Sequence, residues 1–177
     1  MLGAPQLKSL RGTMLTYADE TEIRKAVSFK IWAKGIYMRT ELTAGSRKII
    51  SIQRGNTLYT YEEGSKENGT KQWLGTGLAS MGFLDQIREV KGYAKKQDPE
   101  VIEGELYHRY VYDKNKPQAL AIVVLSDKTS LPKVWISYLK LADGTISKLH
   151  MYYDDMEANV EIPDAMFSLP RGVRFVR

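Results

Sequence analysis

The stretch ETEIRKAVSFKIWAKGIYMRTELTAGSRKIISIQRGNTLYTYEE, residues 20–63, decides the fold. Its first part returns to apolar residues at every second position. Ile23, Val27, Phe29, Ile31 and Ala33 alternate with Glu22, Arg24, Ser28, Lys30 and Lys34, and Trp32 is the exception. Side chains of an extended chain point to opposite faces in turn, so this is a long strand with one wet face. After Gly35, Ile36, Met38, Thr40 and Leu42 take one side, while Tyr37, Arg39 and Glu41 take the other. TAGS and RGN read as turns, RKIISIQ and TLYTYEE as strands, which makes antiparallel hairpins in series.

Outward from there, residues 64–72 are a polar loop, and residues 73–94 abandon the alternation. Leu74, Leu78, Met81, Leu84, Ile87 and Tyr93 recur at roughly helical spacing, which predicts a helix over 78–94. Gly75, Gly77 and Gly82 weaken its start. Strands resume over 100–113, 118–127, 132–142 and 144–155, with ADGT as a turn before the last. The tail IPDAMFSLPRGVRFV, 162–176, is unusually apolar; it predicts one helical turn at PDAMF and a docking of Phe167, Leu169, Val173 and Phe175 against the end of the sheet.

Ten strands in a flat sheet are disfavoured, so the sheet is expected to curl. The prediction is a single domain over 1–177, mainly β in an α+β arrangement. It takes the form of an antiparallel half-barrel of nine to eleven strands, with a helical lid inserted at about 73–97 across the concave side. A curled sheet closed by a glycine-hinged helix encloses a hollow.

Composition narrows the function classes. Hydrophobic content of 43% and charged content of 27% are those of a globular chain. Lys and Arg outnumber Asp and Glu by 26 to 21, a mild basic excess that permits contact with acidic surfaces. Without cysteine there are no disulfides, zinc ribbons or thiol nucleophiles. No apolar run approaches the ~20 residues of a membrane-spanning helix. His108 and His150 sit among strand tyrosines and read as structural residues, with no metal expected. Glu103 and Glu105 share a strand face with Arg109, which suits a solvated face better than a catalytic pair. GTGLASMG matches neither a dinucleotide fingerprint nor a P-loop, and no GxSxG elbow is present. Lys30, Trp32, Lys34, Tyr37 and Arg39 interleave bases with aromatics, yet no nucleic-acid-binding motif accompanies them. The expectation is a non-enzyme without cofactor or nucleic-acid partner. Five of the seven methionines, at 38, 81, 151, 156 and 166, with Trp73 and Trp135, supply soft apolar surface suited to varied hydrophobic partners.

In FKIWAKGIYMRTEL, RKIISIQRGNTLYTY, PKVWISYLKLADGTISKLHMYY and NVEIPDAMFSLPRGVRFV the chain resembles the LolA-like outer-membrane lipoprotein-sorting family, within the LolA/LolB-type half-barrel superfamily. FKIWAKGIYMRTEL and RKIISIQRGNTLYTY resemble the family's tryptophan–lysine strand, its R-x-E strand and the hairpin after it. PKVWISYLKLADGTISKLHMYY resembles its later tryptophan hairpin, and NVEIPDAMFSLPRGVRFV its closing segment. Gly35 and Ile36 stand where the proteobacterial carriers have an arginine and a proline. The resemblance implies a half-barrel in the periplasm or cell envelope, its signal peptide removed. Such a domain receives acyl chains of lipids or lipoproteins, or serves as an envelope sensor. The expected cavity lining is Val27, Phe29, Ile31, Ile36, Met38, Leu42, Ile50, Ile52, Leu58, Leu78, Met81, Leu84, Ile87, Val134 and Ile136, with Arg39 toward headgroups or a lipoprotein linker. A monomer with peripheral membrane contact is expected. The alternative is an interaction module with a filled core that meets an envelope protein at an edge strand.

Overall fold

In a computed structural model that describes residues 6–18, 26–114, 120–140 and 143–177, the described strands form one open, curled sheet that does not close into a barrel. Ile23, at the head of the opening stretch, lies outside the described residues. The strands are β1 (Ser9–Tyr17), β2 (Val27–Lys34), β3 (Tyr37–Ala44), β4 (Arg47–Arg54), β5 (Thr57–Glu62), β6 (Gly69–Trp73), β7 (Lys95–Ile102), β8 (Glu105–Tyr112), β9 (Ala121–Ser126), β10 (Pro132–Lys140), β11 (Ile146–Ala158) and β12 (Phe175–Val176). A single α-helix among the described residues, α1 (Phe83–Tyr93), separates β6 from β7.

The sheet order is β12-β6-β5-β4-β3-β2-β1-β11-β10-β9-β8-β7. Two meanders, β1 to β6 and β7 to β11, are therefore joined at β1 and β11. Gly35 and Gly55 take φ of 58° at the tight β2–β3 and β4–β5 turns, a conformation that costs a side-chain-bearing residue. Because β6 and β7 lie near opposite edges, their connection has to cross a whole face of the sheet. That crossing carries α1 and explains why the helix lies on the sheet.

Twelve strands exceed the expected nine to eleven, for local reasons. Residues 100–113 are not one strand: Glu103 and Gly104, both at positive φ, turn β7 back into β8. Residues 69–73 pair with β5 rather than forming loop. β1 hides from a pattern search because Gly12 sits in its middle. A Cβ there would meet the Met156 sulfur and stand 3.0 Å from the Asp154 carbonyl, where β11 bulges against β1. The helix starts at Phe83, later than 78; a 3-10 turn at Leu78–Ser80 and extended Met81 precede it.

Both sheet faces are covered at the centre. On the helix face, Phe83, Leu84, Ile87 and Val90 pack with Leu10, Met14, Ile31, Ala33, Tyr110, Val123, Trp135 and Tyr153 in one buried cluster. On the opposite face, Ile50 and Ile52 pack with Ile162 and Phe167 of the tail, bordered by Trp32 and Tyr61. PDAMF makes its helical turn at Asp164–Phe167. The tail is held there by Lys34, which donates to Ile162 O (3.0 Å), by Arg39 to Met166 O (2.9 Å), and by Arg54 to Phe167 O (2.7 Å). It then reaches the edge as β12, parallel to β6, with Phe175 opposite Gly69 and edge-on to Tyr59. The grease at the terminus is thus the cover of the sheet's second face.

Candidate functional site

Among the described residues, side chains occupy the space beneath α1. Phe83 packs on Trp135 and Tyr153 at ring distances of 5.7 and 5.8 Å, and Leu84, Ile87 and Val90 are no more than 2% exposed. Burial pushes the Tyr153 phenol far above its ordinary range, the mark of a dry core. The helix is also tied at its approach. Gln53, 4% exposed, donates to Gly55 O (2.8 Å) and Met81 O (2.9 Å), and Gly82 presses on the backbone of Ile36. Tyr112 and Lys114 both donate to Glu89 on the helix, at 3.0 and 2.9 Å, and Lys91 to Ser130 Oγ at 2.7 Å. The approach to the helix, which the sequence reading took as a glycine hinge, is thus bonded to β4 and packed on the β2–β3 turn.

Beyond the helix the same face stays open. Register places Leu42, Ile49 and Leu58 on it, on the flank of β3, β4 and β5 away from α1. All three are half-buried and belong to neither buried cluster. Phe29 and Met38 border them from the core side, and Val27 is 40% exposed. Thr40 and the hydrogen-bonded pair Ser51–Thr60 (2.9 Å) lie between these aliphatic groups. The result is a shallow apolar strip edged with hydroxyls. Among the described residues, clefts border the helix at about 240 Å³ between Leu7, Leu84, Arg88 and Ser130, and at about 230 Å³ between Gly77, Gln86, Trp135 and Ser137. Both are smaller than a typical ligand pocket of roughly 300–1,000 Å³.

The expected lining divides accordingly. Ile31, Leu84 and Ile87 are core; Met38 and Leu78 pack at its border. Val27, Phe29, Leu42 and Leu58 share the helix face and remain partly open. Ile36 stands in a turn, 49% exposed, and the Met81 carbonyl accepts from Gln53 and Gln86. Ile50 and Ile52 lie on the opposite face with the tail, as do Val134 and Ile136, which register beside Tyr152 and His150. The phase is ambiguous in sequence because Ile49 and Ile50 are adjacent and Val134, Trp135 and Ile136 are consecutive. Sequence reading therefore missed Ile49 as the strip residue of β4 and Gln53 as the anchor; a lone glutamine closing an apolar strand carries little signal.

Arg39 is 9% exposed, and both sides of its guanidinium are used: Nε and Nη2 donate to Glu41 (2.8 and 2.6 Å) and Nη1 to the tail. Burial pushes the Glu41 carboxyl up, but hydrogen bonds from Arg39 and Lys48 outweigh it and hold the group below its ordinary value. Arg39 clamps the sheet to the tail. The two histidines are apart. His108 shares the helix face with Tyr110 and lies 3.1 Å from Asp127, while His150 stacks on Tyr17 on the other face. No cluster of three or more His, Asp or Glu suited to a metal occurs among the described residues. Glu103 sits in a turn and engages Lys133 at 3.0 Å, while Glu105 bonds Ser126, so the two carboxylates hold separate partners.

No family model matches the chain, and no curated protein does. Among solved structures it is similar to an uncharacterised conserved protein from Thermus thermophilus, with a TM-score of 0.58 at 10% identity, covering 96% of this chain and 90% of that one. That likeness shows a shared fold. A putative outer membrane lipoprotein-sorting protein domain from Vibrio parahaemolyticus also matches; its TM-score is 0.32 at 10% identity, with 93% and 91% of the chains covered. So does MucB, solved in complex with MucA, with a TM-score of 0.42 at 12% identity, covering 96% of this chain and 57% of that one.

Proposed function

We propose that this chain is a non-enzymatic binding domain of the cell envelope that holds an acyl chain, of a lipid or lipoprotein, along the open part of the helix face. The observation that carries the reading is the strip of Leu42, Ile49 and Leu58, three aliphatic side chains on one face that neither buried cluster absorbs. Each methylene taken from water is worth about 0.8 kcal/mol. A strip that covers one side of a chain collects part of that and releases its cargo readily, as a carrier or sensor must. The envelope setting rests on the motif resemblance in the sequence.

The test is to purify the protein from cells, extract it with organic solvent, look for lipid by mass spectrometry, and titrate it with a fluorescent fatty acid. Leu42→Asp/Leu58→Asp is expected to weaken uptake at least about tenfold, the equivalent of about 1.4 kcal/mol, with an unchanged circular dichroism spectrum. Unchanged affinity in that variant, or absence of both lipid and binding in the parent, defeats the proposal.

A second reading has its own support. Among the described residues β7 pairs with β8 alone and leaves an edge on which Val101 is 70% exposed, next to Leu106 at 41%. An extended segment of an envelope protein could add there as a further strand. Pro99 within β7 removes one donor from that edge and limits the length of such pairing.

A further inference from the structure

The far edge of the sheet differs from the β7 edge in both charge and chemistry. β12 covers β6 only at Gly69 and Thr70, so the remainder of β6, Lys71–Trp73, is bare edge. Trp73 is 65% exposed there, although an indole of that size normally finds cover. Lys71 and Arg177 flank it, and with Thr57 and Gln72 these residues border an open cleft of about 870 Å³. Lys71 also stands over the Tyr59 ring at 5.7 Å. No acidic side chain among the described residues pairs with Lys71, Arg174 or Arg177. Elsewhere on the sheet Arg11, Lys34, Arg39, Arg47, Lys48 and Lys133 have carboxylate partners, whereas Lys30, Lys95 and Lys148 have none among the described residues; what distinguishes this edge is that its uncompensated cations flank an exposed indole.

Uncompensated cations around an exposed indole have a specific physical affinity. An indole is most stable at the boundary between hydrocarbon and water, and lysine and arginine beside it are drawn to anionic headgroups. The geometry points to this edge as a docking site for an anionic membrane surface, with Trp73 entering the headgroup layer and Lys71, Arg174 and Arg177 neutralising lipid phosphates. Docked in this way, the protein presents the strip edge-on to the bilayer, because Leu58 lies on β5, the strand next to β6. Docking itself requires no acyl cargo and stands apart from the binding proposed above.

The experiment is co-sedimentation of the full chain with vesicles of phosphatidylcholine alone and of phosphatidylcholine with one quarter phosphatidylglycerol, at low and high salt, while tryptophan emission is followed. Expected are binding to the anionic vesicles only, a blue shift absent in Trp73→Phe, and loss of binding at high salt. Lys71→Ala/Arg177→Ala should weaken partitioning about 25-fold, at about fivefold for each cation. Removing two exposed lysines near the opposite edge, Lys95→Ala/Lys128→Ala, should change it less than about twofold, since they lie far from the contact. Equal binding to both vesicle types, an equal loss in the two double variants, or binding to soluble polyglutamate with none to vesicles overturns the inference. Failure here with fatty-acid binding intact removes the docking edge and leaves the acyl-binding strip standing.

Discussion

Gly82→Ala separates two accounts of the helix approach by the sign of its effect. If Gly82 is a hinge, alanine removes unfolded-state freedom and stabilises by about 0.4–1 kcal/mol, because its φ of −58° and ψ of 148° suit any residue. The structure assigns the glycine another task. A Cβ at position 82 would stand 2.8 Å from Ile36 Cα and 2.9 Å from Ile36 O, both backbone atoms that cannot rotate away. Relief requires the β2–β3 turn or the helix start to move, and overpacking of this kind costs about 1–3 kcal/mol. At about 2–4 °C per kcal/mol for a chain of this length, the midpoint should fall by about 2–12 °C. Gly92→Ala is the internal control: it lies within α1 with nothing within 4 Å of its added Cβ, so helix propensity alone predicts a gain of about 0.5–1 kcal/mol. Differential scanning calorimetry and urea unfolding measure both, and an unchanged urea slope would tie the effect to the native state. A midpoint for Gly82→Ala equal to or above the parent's refutes the close-approach account.

Other expectations follow from the tail clamp and the edge. The Glu41 carboxylate, held below its ordinary value, contributes stability that is complete above pH 4.5 and is lost as pH falls through its folded pKa. Glu41→Gln should therefore be less stable at neutral pH and show a shallower acid limb below pH 4.5 by urea unfolding, and an identical pH profile would count against the clamp. Phe175→Ala removes the ring edge-on to Tyr59 and Tyr61, and should cost about 1–3 kcal/mol for a partly buried aromatic. Amide exchange at Gly69, whose N–H donates to Arg174 O at 2.9 Å, should quicken in the same variant; if it keeps the parent rate, β12 does not depend on that ring.

Much of the architecture follows from residues 27–63 alone. Strict alternation forces extended chain, the turns after Lys34 and Arg54 require glycine at positive φ, and consecutive strands with short turns pair antiparallel. The helix was also legible, because the spacing of Leu84 and Ile87 suits no strand. Tertiary structure decided the rest. A period of two defines two faces without saying which one meets a helix, so Ile50, Ile52, Val134 and Ile136 could be assigned only once Trp135 and the tail were seen to occupy their sides. Pairing of β1 with β11 joins residues about 140 positions apart, and Gly12 is needed only because that partner bulges against it. The proposed docking edge is likewise invisible in sequence, since Lys71 and Arg177 border one cleft only after the tail has crossed the sheet. Local pattern follows from steric rules between neighbours in the chain; the faces, the packing beneath α1 and the exposed strip depend on which distant segments compete for the same surface.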